Sequence, residues 1–185
     1  MSGGDGVRIR ELAGIDEFRR AVAFQESIWG EGFSERVPAS LMKVTRRLGG
    51  VVAGAFGSEE ELVGFVYGMT GLEEGGPVHW SDILAVRPGL RDRGVGRRLK
   101  HFQRERVLGL GVDLMRWTFD PLESRNAYLN LGHLGAVVRE YAVDMYGESD
   151  SPLHRGLGTD RYVVSWELTS NRVRDRVAGV RPPPA

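Results

Sequence analysis

Leu84-Ala-Val-Arg-Pro-Gly-Leu-Arg-Asp-Arg-Gly-Val-Gly-Arg-Arg-Leu99 decides how the rest of this chain is read. An apolar run ends at Arg87-Pro88-Gly89, where proline stops a strand. Gly94 and Gly96 then open a helical pattern. The first turn of a helix has N–H groups without intrahelical partners, and its dipole favours negative charge there. Glycines at that point let a ligand approach the backbone closely. Arg91, Arg93 and Arg97 add countercharge. The segment therefore predicts a loop that receives a phosphate or pyrophosphate at a helix tip.

Working outward, Val78–Val86 is the strand feeding the loop and Gly96–Leu110 the helix leaving it. Upstream, Val7–Glu11 alternates as a half-buried strand. Asp16 can cap a helix to Trp29, with Phe18, Val22, Gln25 and Trp29 on its inner face. Pro38 suits a helix start, with Leu41, Val44 and Leu48 as the apolar stripe. Val51–Phe56 and Leu62–Met69 form a hairpin. Downstream, Asp113–Phe119 is a strand stopped by Pro121. Ser124 starts a helix that ends at Gly135, and Val137–Met145 and Tyr162–Leu168 are strands. The predicted order is β-α-α-β-β-β-α-β-α-β-β. Its strand–helix–strand steps imply parallel pairing at the centre, and the flanking strand pairs imply antiparallel edges. The expected class is α/β, a mixed sheet with helices on both faces.

The 185 residues suffice for one sizeable core. Residues 7–170 are expected to form a single domain, after a flexible lead at 1–6 and before a tail at 171–185 that is a short helix or disordered. No cysteine is present, which excludes disulfides and thiolate chemistry. The N-terminus has no apolar signal region and no stretch is apolar enough to span a membrane, so a cytoplasmic protein without membrane contact is expected. Formal net charge is zero, and the basic block from Arg91 to Arg106 carries one Phe, Phe102, and no Tyr or Trp, rather than an interleaved aromatic series. Nucleic acid is therefore not an expected partner. The four histidines (79, 101, 133, 154) show no metal-ligand spacing, and no metal is expected.

A dinucleotide-binding fingerprint would need a third glycine at Leu99, and a Walker loop would need Gly-Lys-Ser/Thr; neither is present. Arg91-Asp92-Arg93-Gly94-Val95-Gly96 resembles the acetyl-CoA-binding motif, Arg/Gln-x-x-Gly-x-Gly/Ala, of the GCN5-related N-acetyltransferases (the GNAT superfamily). The element order resembles that fold over residues 7–168. The resemblance implies acetyl-CoA or coenzyme A as acyl-donor co-substrate, bound by the 91–97 loop with the backbone of Leu84, Ala85 and Val86 against the pantetheine arm. It implies a sheet splayed between the fourth and fifth strands, and a homodimer as in many members.

Acyl transfer to an amine needs a base for the amine, donors for the oxyanion, and an acid or dipole for the departing thiolate. Asp82 alternates to the same face as Leu84 and Val86 and is the candidate base, with a hydrogen-bonding role as the alternative. His79, expected half-exposed at a strand entrance, is the second candidate and an acceptor-site residue. The family's thiolate-protonating Tyr falls on Leu131 in this chain. Tyr128, one turn earlier, is the substitute candidate, with a packing role as the alternative. Asn126 is expected to contact the cofactor. For the acceptor pocket, Trp117 follows the splay. Arg161, in Gly156-Leu-Gly-Thr-Asp-Arg161, can clamp a carboxylate or pair with Asp160. The acceptor is expected to be a small-molecule or amino-acid-like amine. A succinyl donor and a non-catalytic acyl-CoA-binding module are the alternatives.

Overall fold

The computed structural model describes residues 6–147 and 158–180. Most of the lead at 1–6, His154, the Gly156-Leu157 part of the glycine-rich loop and the last five residues of the tail lie outside the described residues. Seven strands form one sheet in the order β1-β2-β3-β4-β5-β7-β6. They are β1 Arg8–Glu11, β2 Val51–Phe56, β3 Leu62–Glu73, β4 Gly76–Val86, β5 Leu114–Phe119, β6 Val137–Ala142 and β7 Arg161–Glu167. Neighbours are antiparallel except β4 and β5, which run parallel across the helix α3, Val95–Gly109.

Two apolar clusters show which helix covers which face. α1 (Gly14–Trp29) and α2 (Ala39–Arg47) bring Phe18, Phe24 and Met42 against Val52, Phe65, Tyr67, Ile83 and Ala85. On the other face, Val95, Leu99 and Val107 of α3 pack with Ala53, Val66, Met115 and Trp166. The C-terminal helix α5, Asn171–Val177, capped by Ser170, adds Val173 to that second cluster.

Several details differ from the sequence expectation. In α2 the face against the sheet carries Met42 and Thr45, while Leu41, Val44 and Leu48 are exposed. Thr45 is accommodated inside because its hydroxyl meets the Tyr67 hydroxyl at 2.8 Å, so a satisfied threonine displaces a leucine from the buried face. Asp16 lies within the first turn of α1 rather than capping it; Glu17 reaches back to the Ala13 N–H instead. The step from β5 through α4 to β6 does not produce neighbouring parallel strands, because β7 inserts between them and pairs antiparallel with both. Finally, α4 (Ser124–Ala127) widens into a π-helical turn at Tyr128–His133, where Leu134 N–H donates to Leu129 O.

Candidate active site

β4 and β5 share two rungs, His79↔Met115 and Trp80↔Arg116, and then part. β4 stays paired to β3 as far as Val86, and β5 stays paired to β7 as far as Phe119. The gap is thus a fork between two intact half-sheets, and it leaves backbone N–H and C=O groups of Asp82–Val86 and Trp117–Phe119 without a strand partner across it. The loop after β4 returns α3 to the open end of this fork. The methyl groups of Val86 and Leu84 lie within 4 Å of where a Gly96 side chain would begin.

At that helix tip Gly94 adopts φ 78°, ψ 1°, a left-handed conformation suited to glycine. No side chain caps the helix, and its first internal bond is from Arg98 N–H to Gly94 O. The amides of Val95, Gly96 and Arg97 precede that bond. A side chain at Gly94 would meet open space, and one at Gly96 only ordinary contacts of 3.7–3.9 Å. Packing within the chain therefore does not demand the second glycine, and the backbone there stays open to close approach. Arg91, Arg93 and Arg97 are exposed around the tip. Arg91 also donates to Val86 O at 3.2 Å, and Arg125 of α4 pairs with Asp92 at 3.5 Å, so the loop is braced from both sides. Asn126, next to Arg125, is exposed.

Asp82 sits in a β-bulge: Tyr67 pairs with Ile83 and Gly68 with Ser81, so Asp82 has no partner on β3. The extra residue reverses alternation along β4. Ser81 hydrogen-bonds to α3, Ile83 and Ala85 pack towards α1 and α2, and Leu84 and Val86 pack with the α3 cluster. Asp82 interacts with Glu35, Tyr67 and Tyr146, placing it on the side opposite Leu84 and Val86 and correcting the expected alternation. The residue is exposed, yet protein crowds its carboxyl closely enough to cost it hydration. Incomplete hydration, and secondarily the like charge of Glu35, hold it above the usual aspartate value. Tyr146 completes this side, its hydroxyl 2.9 Å from Thr118 Oγ1 and its ring 5.7 Å from the Arg161 guanidinium. Glu35, Thr118 and Tyr146 were not singled out in the sequence, since nothing local distinguishes a loop glutamate or a strand-end threonine.

On the α3 side of the fork lies a buried polar chain. Lys100 Nζ donates to Ser81 Oγ at 2.8 Å, Ser81 to Gln103 Oε1 at 2.9 Å, and Gln103 Nε2 lies 3.1 Å from His79 Nε2. His79 Nδ1 lies 2.9 Å from Thr70 Oγ1, which donates to Gly49 O. One assignment satisfies every member: His79 accepts at Nε2 and donates from Nδ1. His79 is fully buried rather than half-exposed, and burial lowers its pKa to about 3. It is a neutral core histidine. Trp117 is also in the core, edge-on to Trp166 at 5.9 Å, not on an open pocket wall. Tyr128 is exposed and packs edge-on against His133. Arg161 is buried and donates to the Asp160 carbonyl, while the Asp160 carboxylate is taken by Tyr141 and the Asp144 N–H. Lys100, Ser81 and Gln103 are the functional candidates that sequence reading missed. Helical spacing from Leu99 and Val107 points Lys100 and Gln103 inward, but the surrounding arginines make the segment look like a solvated face.

An open polar depression of about 470 Å³, lined by Asp113, Arg116, Arg139 and Glu167 among others, lies at the opposite end of β5 from the fork. Among the described residues no helix is long and apolar enough to cross a membrane.

This seven-stranded mixed sheet, forked between its parallel pair and fed by an uncapped helix tip, has the fold of solved GNAT-family acetyltransferases. Solved structures bear this out. An aminoglycoside 6'-N-acetyltransferase complexed with coenzyme A matches with a TM-score of 0.68 at 13% identity, over 89% of this chain and 98% of its own. A GNAT-family acetyltransferase from Streptococcus pneumoniae matches at 0.66 and 16% identity, over 86% and 98%. One from Staphylococcus aureus matches at 0.61 and 15%, over 88% and 99%. No protein-family model and no curated protein matches the sequence.

Proposed function

We propose that this chain is an acyl-CoA-dependent N-acyltransferase that passes an acetyl group from acetyl-CoA directly to a primary amine of a small-molecule or amino-acid-like acceptor. The observation that carries this reading is the fork opening beside an uncapped, arginine-flanked helix tip. The amides of Val95, Gly96 and Arg97 suit a pyrophosphate, with Arg91, Arg93 and Arg97 as countercharge. The Asp92–Arg125 pair holds the loop, and Asn126 is within the same surface. Backbone groups of Leu84, Ala85 and Val86 suit the amides of a pantetheine arm, which would pair with the strand as an added strand does. On the opposite face, Asp82 and Glu35 place negative charge where an ammonium group would arrive. Asp82, with its raised pKa, takes the role of base for that amine. Succinyl as the transferred group rests on Arg161 alone, and that guanidinium is already engaged.

The test is calorimetry with coenzyme A, followed by thiol release from acetyl-CoA with a panel of amino acids, polyamines and aminoglycosides. Gly94→Glu puts a carboxylate in the phosphate position at a backbone strain of roughly 1–2 kcal/mol, with open space for the side chain. A folded Gly94→Glu protein is expected to show no heat with coenzyme A; unchanged affinity rejects the site. Binding without thiol release from any amine favours a non-catalytic module.

A further inference from the structure

Lys100 is 1% exposed. Its Nζ has Ser81 Oγ at 2.8 Å, Gln103 Oε1 at 3.3 Å and Met115 Sδ at 3.6 Å, and it stands 3.7 Å from the centre of the Trp117 ring. Among the described residues no carboxylate pairs with it. A buried lysine without a counterion is costly and needs a reason. Its place in the sheet supplies one. Ser81 is the first residue of β4 beyond the last shared rung, Met115 belongs to the shared rungs of β5, and Trp117 is the first residue beyond them. The amine therefore bridges the two strands at the vertex of the fork.

Chain lengths place the reacting sulfur at the same spot, given the coenzyme A reading above, on which this inference rests. From Val86 back to Ser81 is five residues of strand, about 17 Å. The arm from pyrophosphate to sulfur has about the length of four to five residues of extended backbone, ~15 Å. With its phosphates at the helix tip, an arm lying along β4 ends beside Ser81.

We propose that Lys100 is the catalytic acid that protonates the departing thiolate. The acceptor nitrogen attacks the thioester carbonyl; the C–N bond forms, the C–S bond breaks, and its electron pair leaves on sulfur. The Lys100 ammonium gives one proton to that sulfur, releasing coenzyme A as the thiol. The nitrogen sheds its extra proton to the Asp82 side, and the Lys100 amine regains one from water once the fork has emptied. This supplies the function left open by Leu131 at the position of the usual tyrosine. Burial makes the ammonium a stronger acid than an ordinary lysine. The Ser81 and Gln103 oxygens and the Trp117 face support its charged form. The groups around it are neutral on every side: His79 and Ser81 from β4, Gln103 from α3, Met115 and Trp117 from β5, and Trp166 from β7, 5.9 Å away.

The test compares Lys100→Met and Lys100→Arg with the parent chain, using acetyl-CoA and p-nitrophenyl acetate as donors to the best amine of the panel. The nitrophenolate needs no proton to leave. Both variants should bind coenzyme A by calorimetry with unchanged affinity and lose roughly 10²–10⁴-fold in kcat with acetyl-CoA. They should lose the alkaline limb of the kcat profile and keep most activity with the nitrophenyl ester. Equal losses with both donors, a change confined to KM, or unchanged kcat overturns the assignment. A 42 Da adduct on Lys100 also overturns it, since the amine would then be an acceptor. If only Lys100→Met fails to fold, Lys100→Arg decides. If the parent chain itself releases no thiol with any amine, the acyltransferase reading falls and this inference with it.

Discussion

Asp82 shows how much a single residue reveals and conceals. Its identity was legible, because an aspartate in an otherwise apolar strand is expensive unless it has work to do. Its orientation was not. A bulge adds one residue against β3 and reverses every later side chain, and no local sequence signal marks it. The consequence is a carboxylate on the face opposite Leu84 and Val86, the side proposed for the acceptor, with a pKa raised first by poor hydration and then by Glu35. A base must be ionised to act, so kcat/KM should fall on the acid side of that raised pKa. Asp82→Asn should remove the acid limb and slow turnover by roughly 10²-fold or more, with coenzyme A affinity unchanged in calorimetry. Glu35→Gln removes a like charge, so it should move the acid limb to lower pH while leaving the limb intact. An acid limb unaltered in Asp82→Asn would exclude that residue as base.

At the scale of elements, the segment from Leu84 to Leu99 was readable because each of its signals is local: an apolar run, a proline stop, two glycines and a helical period. Strand, loop and helix follow in that order. What local reading could not deliver was which residues of α3 face the sheet, since Lys100 and Gln103 look polar and lie buried. They are accommodated because β3 gives way opposite them. Gly68 lies where a side chain would begin 2.7 Å from both Gln103 Nε2 and the Trp80 carbonyl. The latter is backbone and cannot swing aside. Gly68→Ala is therefore expected to push β3 or α3 outward and destabilise the protein by about 1–3 kcal/mol, the usual cost of overpacking. Urea unfolding measures this directly. A neutral result would mean that the Lys100–Ser81–Gln103–His79 chain is looser than its hydrogen bonds indicate.

At the scale of the molecule, the central parallel pair was foreseeable from the β-α-β step, whereas the place of β7 between β5 and β6 was not, because strand order at a sheet edge depends on contacts between distant segments. Those contacts also tie pH to stability. The His79 ring connects α3, through Gln103, to Thr70 of β3 and onward to the Gly49 carbonyl ahead of β2. Its folded pKa is about 3, against an ordinary value of 6.5. Between those values the unfolded chain binds a proton at this residue and the folded chain does not. The contribution is thus complete above pH 6.5 and is lost as pH falls towards 3, at up to about 1.4 kcal/mol per pH unit. His101, lowered to about 4 by burial and by Arg97 and Arg104, acts in the same direction. Lys100 is depressed as well, and its contribution extends to higher pH: the folded protein gains stability as pH rises towards the ordinary lysine value of about 10.4. Urea midpoints should therefore drop steeply from pH 7 to pH 4.5, and His79→Gln should flatten that slope by close to one proton. Lys100→Met should flatten the rise in stability towards alkaline pH. An identical acid slope in His79→Gln would show that the imidazole becomes protonated within the fold, and the neutral chain linking these elements would then be wrong.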